Sequence, residues 1–423
     1  MRIAVAGTGI AGLGAAWELA RHHDVVLFER EKQPGGHAHT LEVATENEPV
    51  ALDTGFLVYN ERNYPELVRL FAALNVATQP SDMSFSVHRN EQGRVLEWAG
   101  GTGVAGLFAQ RRRLIDPGHW GLLVEILRFN RTALKALADE SLHGTLGEFL
   151  EQHGFSSSLA WRYLIPMTAA IWSCPPEQML DSPAQTLLRF LFNHGLLHVR
   201  GRPQWRSVSG GSVNYVQNLL AESNASIRLD TPVTRLVREP DGITVESSHG
   251  TEHFDACVLA CHADESLALL GDADAEERRI LGAFRFTTNI GYLHGDASFM
   301  PAARHAWASW NVRMDDERNP QASVSVTYWL NRLQRLSTPH NYFVTLNPVR
   351  EPREVITTLH YTHPVLDTTA VDAQQALTGI QGRGGLYYAG AWTRYGFHED
   401  GLASGLAAAC AIGTDLAAKE GGA

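Results

Sequence analysis

A glycine-rich segment near the start of the chain has the residue types and the spacing of a phosphate-binding turn. Gly7, Gly9 and Gly12 follow a short apolar run that predicts a buried strand, and small apolar residues that predict a helix come next. Gly7 permits a tight turn, Gly9 leaves room for a pyrophosphate against the backbone, and Gly12 lets the helix pack closely on the sheet. The free N–H groups of Ile10 and Ala11 at the helix start would then bind the phosphates.

An acidic residue follows at the distance that a bound dinucleotide requires. Glu29 stands 22 residues after Gly7, at the end of a second apolar run that begins at Val25. A carboxylate in this position accepts hydrogen bonds from the adenosine ribose hydroxyls, and we expect Arg30 beside the same cofactor. A glycine-rich turn without a ligand is the alternative, but strand, turn, helix, strand and acid together favour a dinucleotide-binding parallel sheet.

A second pair of glycines indicates which dinucleotide the turn would bind. Five residues separate Glu29 from the pair Gly35 and Gly36, and His37 follows the pair. This spacing resembles the extended FAD fingerprint of the flavin amine oxidase and phytoene desaturase superfamily, in which an arginine usually stands where this chain has His37. Paired glycines allow the backbone to approach the cofactor closely, whereas the alternative is a plain surface turn.

A segment near the far end of the chain is similar to the C-terminal FAD motif of the same superfamily. A strand leads into Gly390 and Ala391, and a small-residue helix contains Gly401, Leu402 and Ala403. The family usually has an acid where this chain has Ala391. The resemblance implies that the N-terminus of this helix points at the pyrimidine side of the flavin, where helix N–H groups stabilise the negative charge of the reduced ring.

The resemblance implies the fold as well as the cofactor, which is non-covalently bound FAD. The fold class is α/β: a Rossmann-type FAD-binding domain with a parallel sheet and a β-meander, and an interleaved α+β substrate domain. Gly55 and Phe56 resemble the strand beside the flavin, and Val233 resembles the residue whose backbone faces the adenine. The predicted FAD-binding domain comprises 1–75, 205–265 and 375–420, and the predicted substrate-binding domain comprises 76–204 and 266–374.

Hydrophobic periodicity predicts the elements that would position these segments. Predicted strands cover 2–6, 25–29, 226–229, 233–237, 243–246, 256–260, 324–329 and 385–389, with a hairpin over 85–98. Predicted helices cover 12–22, 64–74, 122–138 and 401–418, and residues 103–200 are mostly helical.

Few polar residues stand near the expected flavin. His398 and Glu399 are the first candidates for acid–base or orienting groups, and Tyr59 is the third catalytic candidate. A structural role is the alternative for every histidine, because a lone histidine is usually a packed residue rather than a catalytic one. Further candidates are Trp205, His360, Tyr361 and His363.

The distribution of lysine bears on the reaction. In many amine oxidases of the superfamily a lysine holds a water against the flavin, on a strand that corresponds here to residues 284–292. That stretch contains no lysine, and none occurs between Lys135 and Lys419. The sequence therefore disfavours an amine oxidase, which stays open as an alternative function.

The motif variants at 35–40 and 396–401 suggest a subgroup. They resemble flavoproteins fused to, or encoded beside, cyclopropane fatty acid synthases, which implies lipid metabolism and a desaturase or oxidase of a fatty acyl substrate, such as a phospholipid acyl chain. Residues 163–172 and 182–197 are apolar enough to line a long pocket, although ordinary helical core is the alternative. A flavin-bound isomerase or a non-catalytic lipid-handling partner is the other hypothesis.

Composition limits the partners and the location. The 423 residues carry a formal net charge of −11, which argues against nucleic acid as the main partner. The spacings of cysteine and histidine predict no metal site, and the N-terminal residues do not resemble a signal peptide, so a cytoplasmic protein is expected. The sequence leaves the oligomeric state open. Peripheral membrane contact stays open, although no basic amphipathic helix is evident. Arg111–Arg113 beside Leu107 and Phe108 could touch a membrane, but an exposed solvated turn is the preferred interpretation of this segment.

Overall fold

A computed structural model describes residues 1–46, 48–91, 93–139, 142–172, 179–199, 201–314 and 324–421. The strands, numbered in chain order, are β1 (Arg2–Ala6), β2 (Asp24–Phe28), β3 (Thr40–Val43), β4 (Val50–Asp53), β5 (Tyr59–Asn60), β6 (Thr78–Pro80), β7 (Phe85–Glu91), β8 (Arg94–Gly100), β9 (Trp205–Val208), β10 (Ser226–Arg228), β11 (Val233–Glu239), β12 (Gly242–Ser247), β13 (Gly250–Phe254), β14 (Ala256–Leu259), β15 (Arg285–His294), β16 (Trp310–Met314), β17 (Ser325–Trp329), β18 (Phe343–Leu346), β19 (Val355–Val365) and β20 (Leu386–Tyr388).

The helices are numbered in the same way. They are α1 (Ile10–Leu19), α2 (Pro65–Ala73), α3 (Val104–Leu107), α4 (Pro117–Ala138), α5 (Leu146–Gln152), α6 (Ser157–Leu159), α7 (Ile165–Trp172), α8 (Ala184–Asn193), α9 (Val213–Glu222), α10 (Ala263–Leu269), α11 (Ala275–Leu281), α12 (Leu330–Leu333), α13 (Thr368–Ala376) and α14 (His398–Gly421). Among the described residues, no helix combines the length and the apolar character needed to cross a bilayer.

A five-stranded parallel sheet joins the two ends of the chain. Its strand order is β10-β2-β1-β14-β20. In β1, Ile3 pairs with Ala256 of β14, and in β14, Val258 pairs with Tyr387 of β20. These strands are apolar and buried, as expected for a parallel sheet that is covered on both faces. The predicted α/β fold with a Rossmann-type parallel sheet is confirmed.

The predicted β-meander is a three-stranded antiparallel sheet of β11, β12 and β13. The third of these strands is missing from the sequence-based assignment. Its burial explains why: only Phe254 of β13 is buried, so the strand lacks the apolar alternation that marks the other two.

A larger sheet supports the opposite part of the molecule. It has seven strands in the order β19-β15-β18-β17-β16-β7-β8. The hairpin of β7 and β8, predicted from sequence, forms one edge, and the long pair of β15 and β19 forms the other. Helix α4 lies near the β8 edge, where the ring of His119 is 6.5 Å from that of Trp98. The boundaries of the two predicted domains stay a prediction.

Helices α1 and α14, from opposite ends of the chain, cross at very short range. A β-carbon on Gly405 would lie 2.0 Å from the carbonyl oxygen of Ala11, and a β-carbon on Gly14 would lie 2.5 Å from Cδ1 of Leu402. Larger residues at either glycine would force the helices apart. The last helix begins at His398, three residues before the predicted start at Gly401.

Candidate active site

The turn between β1 and α1 has the three properties that a pyrophosphate requires. Gly7 has a φ of +103°, and its N–H donates to the carbonyl of Phe28 at 2.8 Å. A β-carbon on Gly12 would lie 1.9 Å from the carbonyl oxygen of Gly7, so helix and turn are in contact. A β-carbon on Gly9, by contrast, would meet no atom within 4 Å, which leaves space over the turn.

The second glycine pair lies against this turn. Gly36 has a φ of +57°, and a β-carbon there would stand 3.1 Å from Cα of Gly9. The N–H of Gly35 donates to the carbonyl of Thr8 at 3.1 Å. Helix α1 begins here at Ile10 with no side chain capping its first N–H groups. Open space, bare glycine backbone and uncapped N–H groups fit the pyrophosphate of FAD.

Glu29 lies at the edge of this cradle and is buried. Its Oε2 accepts the backbone N–H of Thr8 at 2.9 Å and also the Thr8 hydroxyl, while Oε1 accepts the N–H of Glu31 at 2.9 Å. Two ionised oxygens can accept about four hydrogen bonds, so acceptor capacity is left for a ribose. The predicted neighbour Arg30 instead pairs with Glu265 at 2.6 Å, on the surface.

The strand predicted to face the adenine adjoins the Glu29 segment. The N–H of Thr231 donates to the carbonyl of Glu29 at 2.8 Å, and that of Asp230 donates to the carbonyl of Glu31 at 3.0 Å. Val233 begins β11 two residues later. The geometry therefore brings Val233 into the neighbourhood of the predicted ribose acceptor.

The predicted flavin side begins where residues 37–39 run beside 54–56. The N–H of Phe56 donates to the carbonyl of His37 at 2.7 Å. A β-carbon on Gly55 would lie 2.3 Å from the same carbonyl oxygen, so this close approach requires glycine. His37, which stands at the usual position of an arginine, is thereby held at the end of the cradle.

The two far segments meet as the motif comparison predicts. A β-carbon on Gly401 would lie 2.8 Å from Cγ2 of Ile10 at the start of α1. The N–H of Gly390 donates to Oγ of Ser404 at 2.8 Å, and the carbonyl of Ala391 accepts from Gly396 at 3.1 Å. Leu402 is buried and Ala403 half-buried in the same helix start. The start of α14 thus lies beside the phosphate turn, on the side of α1 where the flavin groove is expected.

A group of neutral imidazoles stands next to this groove. The ring of His37 lies 5.1 Å from that of Tyr361 and 5.9 Å from that of His363. Burial lowers the pKa of His37 to about 3 and that of His363 to about 4. Burial also raises the pKa of Tyr361 to about 12. All three side chains are uncharged near neutral pH.

The orientation of His363 is fixed by a chain of amides. Nδ2 of Asn289 lies 2.9 Å from Nδ1 of His363, and Oδ1 of Asn289 accepts from Nδ2 of Asn347 at 2.6 Å. Since the amide N–H donates, Nδ1 of His363 accepts and Nε2 carries the proton. Asn289 and Asn347 are functional candidates that the sequence does not reveal, because Asn347 reaches β15 only through the tertiary fold.

The predicted catalytic residue His398 makes two contacts. Its Nε2 lies 2.7 Å from the hydroxyl of Tyr215, and its ring stacks on Phe56 with the centroids 3.9 Å apart. Burial and the nearby His37 lower the pKa of His398 to about 3. Tyr215 is a further residue that sequence analysis does not identify. The glycine segment at 209–212, which precedes its helix, is the local sequence feature that points to this region.

The contacts of the other two catalytic candidates, Glu399 and Tyr59, are those of residues that stabilise the fold. Both oxygens of Glu399 accept backbone N–H groups at the start of α2, from Glu66 at 2.9 Å and Leu67 at 3.0 Å. Tyr59 is buried in an aromatic cluster, with its ring 5.3 Å from that of Phe71. A catalytic role for either residue stays a prediction, and the helix cap is the role that the contacts of Glu399 support.

The remaining candidates divide between the site and other places. Tyr361 and His363 lie in the imidazole group, whereas His360, which pairs with Ile290 of β15, is exposed. Trp205 is buried in β9, with its ring 6.3 Å from that of Tyr64. Within the described ranges, no group of three or more histidine, cysteine or acidic side chains could hold a metal ion.

An apolar cavity of about 230 Å³ opens between α8 and the ends of β15 and β19. Its walls are mainly apolar, and two of its three charged lining residues, Asp181 and Arg285, are exposed. The lining consists of Met179, Asp181, Ser182, Pro183, Thr186, Leu187, Arg285, Pro364, Val365, Leu366 and Asp367. The stretch 182–197 therefore contributes to a pocket as predicted, while 163–172 is not among the lining residues.

The chain belongs to the flavin-containing amine oxidoreductase family, whose model matches residues 10–309. The fold and the open, uncapped phosphate turn agree with this membership, and FAD is the cofactor that the family implies. The resemblance drawn from the glycine motifs is confirmed.

Individual relatives are distant. AofH of Mycobacterium tuberculosis, whose name assigns it to the flavin-containing monoamine oxidases, is 29% identical over 269 residues, which is 61% of this chain and 56% of AofH. Thus the chain spans little more than half the length of this relative.

Solved structures share the fold at low identity. A fatty acid isomerase of P. acnes that produces CLA superposes with a TM-score of 0.68 at 16% identity, covering 96% of this chain and 97% of the isomerase. Cyclohexylamine oxidase of Brevibacterium oxydans gives a TM-score of 0.67 at 15% identity, covering 98% and 99% of the two chains.

Proposed function

We propose that this FAD-dependent oxidoreductase removes hydrogen from an apolar, fatty acyl substrate. The observation that carries the proposal is the apolar cavity between α8 and the ends of β15 and β19, because both of its walls continue to groups beside the flavin groove.

The strand wall leads directly to the imidazole group. Val365, which lines the cavity, is two residues from His363 on β19, a separation of about 6.6 Å at ~3.3 Å per residue. The helical wall leads to the C-terminal motif. Leu187 lines the cavity, Phe190 follows one turn later on α8, and its ring stacks on Phe397 with centroids 4.8 Å apart.

The uncharged state of the site also favours an apolar substrate. His37, His363 and His398 all have pKa values lowered to about 3 or 4, so none of them is protonated near pH 7. An acyl chain can replace water against such side chains without leaving an ionised group unsolvated.

The chemistry divides between cofactor and protein. Bound FAD supplies an acceptor for a hydride, and the groove of Gly9, Gly36 and Gly401 would hold it. Dehydrogenation of a carbon–carbon bond releases one hydride and one proton. The cavity would hold and orient the acyl chain and exclude water. The hydride and the proton together would convert the bound FAD to FADH2, because His37, with a pKa of about 3, is too weak a base to keep the proton.

Two other functions have support from relatives and define the outcomes of the test. Family membership and the likeness to AofH favour an amine substrate. The fold shared with a fatty acid isomerase favours double-bond migration without net oxidation. Oleate or a phosphatidylglycerol, a primary amine such as benzylamine, and a polyunsaturated fatty acid serve as probes.

The test is anaerobic mixing of the FAD-loaded enzyme with each probe while the flavin absorbance is recorded. We expect the acyl probes to bleach the flavin and to gain a double bond. Bleaching by the amine alone would replace the proposal with amine oxidation, and a shifted double bond with oxidised flavin would replace it with isomerisation.

A substitution in the cavity tests the place of binding. Thr186→Trp fills the space between α8 and β19, and we expect the rate of flavin reduction by acyl probes to fall at least about tenfold, roughly 1.4 kcal/mol. Gln185→Trp, one residue away on the exposed side of α8, is the matched control and keeps the rate. Equal rates in both variants would place the substrate elsewhere.

A further inference from the structure

An apolar surface with basic side chains around it is formed by α4 and the 3₁₀ turn Arg111–Ile115 before it. Its five exposed apolar side chains are here called the α4 face. They are Leu114 (51% exposed), Ile115 (87%), Trp120 (48%), Val124 (65%) and Leu127 (41%). We propose that the α4 face docks the enzyme on an anionic phospholipid bilayer.

The spacing on α4 shows that these side chains form one row. Trp120, Val124 and Leu127 follow one another at intervals of four and three residues, so they project from the same side of the helix. The core contacts of α4 are made by other residues, including the buried Leu122 and Phe129. The exposed row is therefore additional to what packing requires, and a contiguous apolar row marks an interaction surface.

Basic side chains flank the row. On the same turn and helix, the exposed cations are Arg111, Arg112, Arg128, Arg131 and Lys135. Two of the nearby acids are engaged within the protein: Asp116 pairs with Arg113 at 2.6 Å, and Glu125 accepts the N–H of Ser156 at 2.8 Å. A third, Asp139, is exposed at the C-terminal end of α4 and is outnumbered by the cations. The surface thus presents positive charge around an apolar centre.

The local excess of basic side chains around the α4 face contrasts with the net negative charge of the whole chain. A protein with a formal net charge of −11 is repelled by an anionic surface unless a basic patch faces it. Each cation near an anionic leaflet contributes about 1 kcal/mol, or about fivefold in affinity. Tryptophan favours the membrane interface, and the indole N–H of Trp120 donates to the carbonyl of Leu114 at 3.0 Å, which holds the ring at the edge of the row.

A second copy of the chain fits this surface less well. A symmetric pair across the α4 face would bring the same arginines of both copies towards each other, which is unfavourable without anions between them. A bilayer supplies those anions and the apolar layer together. The inference concerns only this surface, and it does not depend on the substrate proposed above.

The experiment is co-sedimentation of the FAD-loaded enzyme with vesicles of phosphatidylglycerol and phosphatidylcholine in equal parts, and with phosphatidylcholine alone. We expect binding to the first, weak binding to the second, and loss of binding as salt is raised. Val124→Glu with Leu127→Glu should lower the partition coefficient at least about tenfold for each residue. Arg111→Gln with Arg131→Gln should lower it about fivefold for each.

Ile356→Glu is the matched control. Ile356 is 41% exposed, like Leu127, but it lies on β19 at the other edge of the seven-stranded sheet. It should bind vesicles as the unaltered enzyme does, and flavin absorbance confirms that each variant is folded. Absence of binding by the unaltered enzyme, or unchanged binding of the Val124→Glu/Leu127→Glu variant, would overturn the proposal. A dimer that these two substitutions dissociate, without vesicle binding, would also overturn it.

Discussion

The hydroxyl of Tyr215 lies 2.7 Å from Nε2 of His398, and the opposite contact of that imidazole is a parallel stack on Phe56 at 3.9 Å. Three distant parts of the chain, helix α9, helix α14 and the segment after β4, are therefore fixed against one another at a single neutral ring. The position of His398 beside the flavin groove depends on this pair.

The contact between Tyr215 and His398 predicts that substitutions at these two residues have non-additive effects on the free energy of unfolding. Tyr215→Phe leaves Nε2 of His398 without its buried partner, and His398→Phe does the same to the Tyr215 hydroxyl, so each should cost about 1–3 kcal/mol. The double variant should lose much less than the sum, because both polar groups are then gone. Urea unfolding of the four proteins measures the coupling, and simple additivity would contradict it.

Two glycines of the first turn should respond differently to alanine. Gly9→Ala places its methyl group in open space, so the apoprotein should keep its melting temperature while FAD binding weakens at least about tenfold. Gly12→Ala collides with the Gly7 carbonyl and should destabilise the apoprotein itself, by about 1–3 kcal/mol.

Thermal melts without cofactor and fluorescence titration with FAD separate the two effects. If Gly9→Ala binds FAD as tightly as the unaltered protein, the space above Gly9 does not hold the pyrophosphate.

The neutral imidazoles predict how stability depends on pH. The unfolded chain protonates His37, His363 and His398 as the pH falls below about 6.5, but the folded protein resists until pH 3 to 4. The free energy of unfolding should therefore fall as the pH is lowered from 6.5, by at most about 1.4 kcal/mol per pH unit for each histidine. Asp400 opposes this trend, because burial raises its pKa to about 6 and the folded state then takes up a proton first.

Urea unfolding at about pH 5 and about pH 7.5 measures the dependence. His363→Asn should reduce the loss of stability at the lower pH, and Asp400→Asn should increase it. A protein that is equally stable at both values, with unchanged variants, would show that these groups titrate normally.

Glu399 should behave as a helix cap. Glu399→Ala leaves the N–H groups of Glu66 and Leu67 without acceptors, and we expect a loss of about 1–2 kcal/mol in the free energy of unfolding. Glu399→Gln keeps one acceptor oxygen and should lose less. Rates of flavin reduction provide the second measurement: a fall of a hundredfold or more in the folded glutamine variant would restore the catalytic role that its position in the sequence predicts.

The sequence reveals elements that depend on local patterns, but it does not reveal contacts between residues that are far apart in the chain. The unit of β1, glycine turn, α1 and β2 is predictable because its strand, turn and helix signals are adjacent and agree. The sequence places the start of α14 three residues too late. The first turn contains Glu399, whose hydrogen bonds are to Glu66 and Leu67 of α2, and these residues lie 333 and 332 positions away in the chain.

The same reasoning explains the residues that the sequence does not identify. Tyr215 reaches His398 over 183 residues, and no local pattern marks such a pair. In α4 the sequence shows apolar residues on more than one side, but only packing decides that Leu122 is buried while Val124 is exposed. That is why the helix does not stand out as a basic amphipathic one before its surroundings are known.

The interlocked glycines of α1 and α14 also bear on biosynthesis. The phosphate turn and α1 are synthesised before α14, which forms the other side of the cofactor groove. We therefore expect cofactor loading to coincide with the arrival of Gly405 against Ala11. Premature termination within α14 would then yield an apoprotein with an exposed, unfilled first half-site.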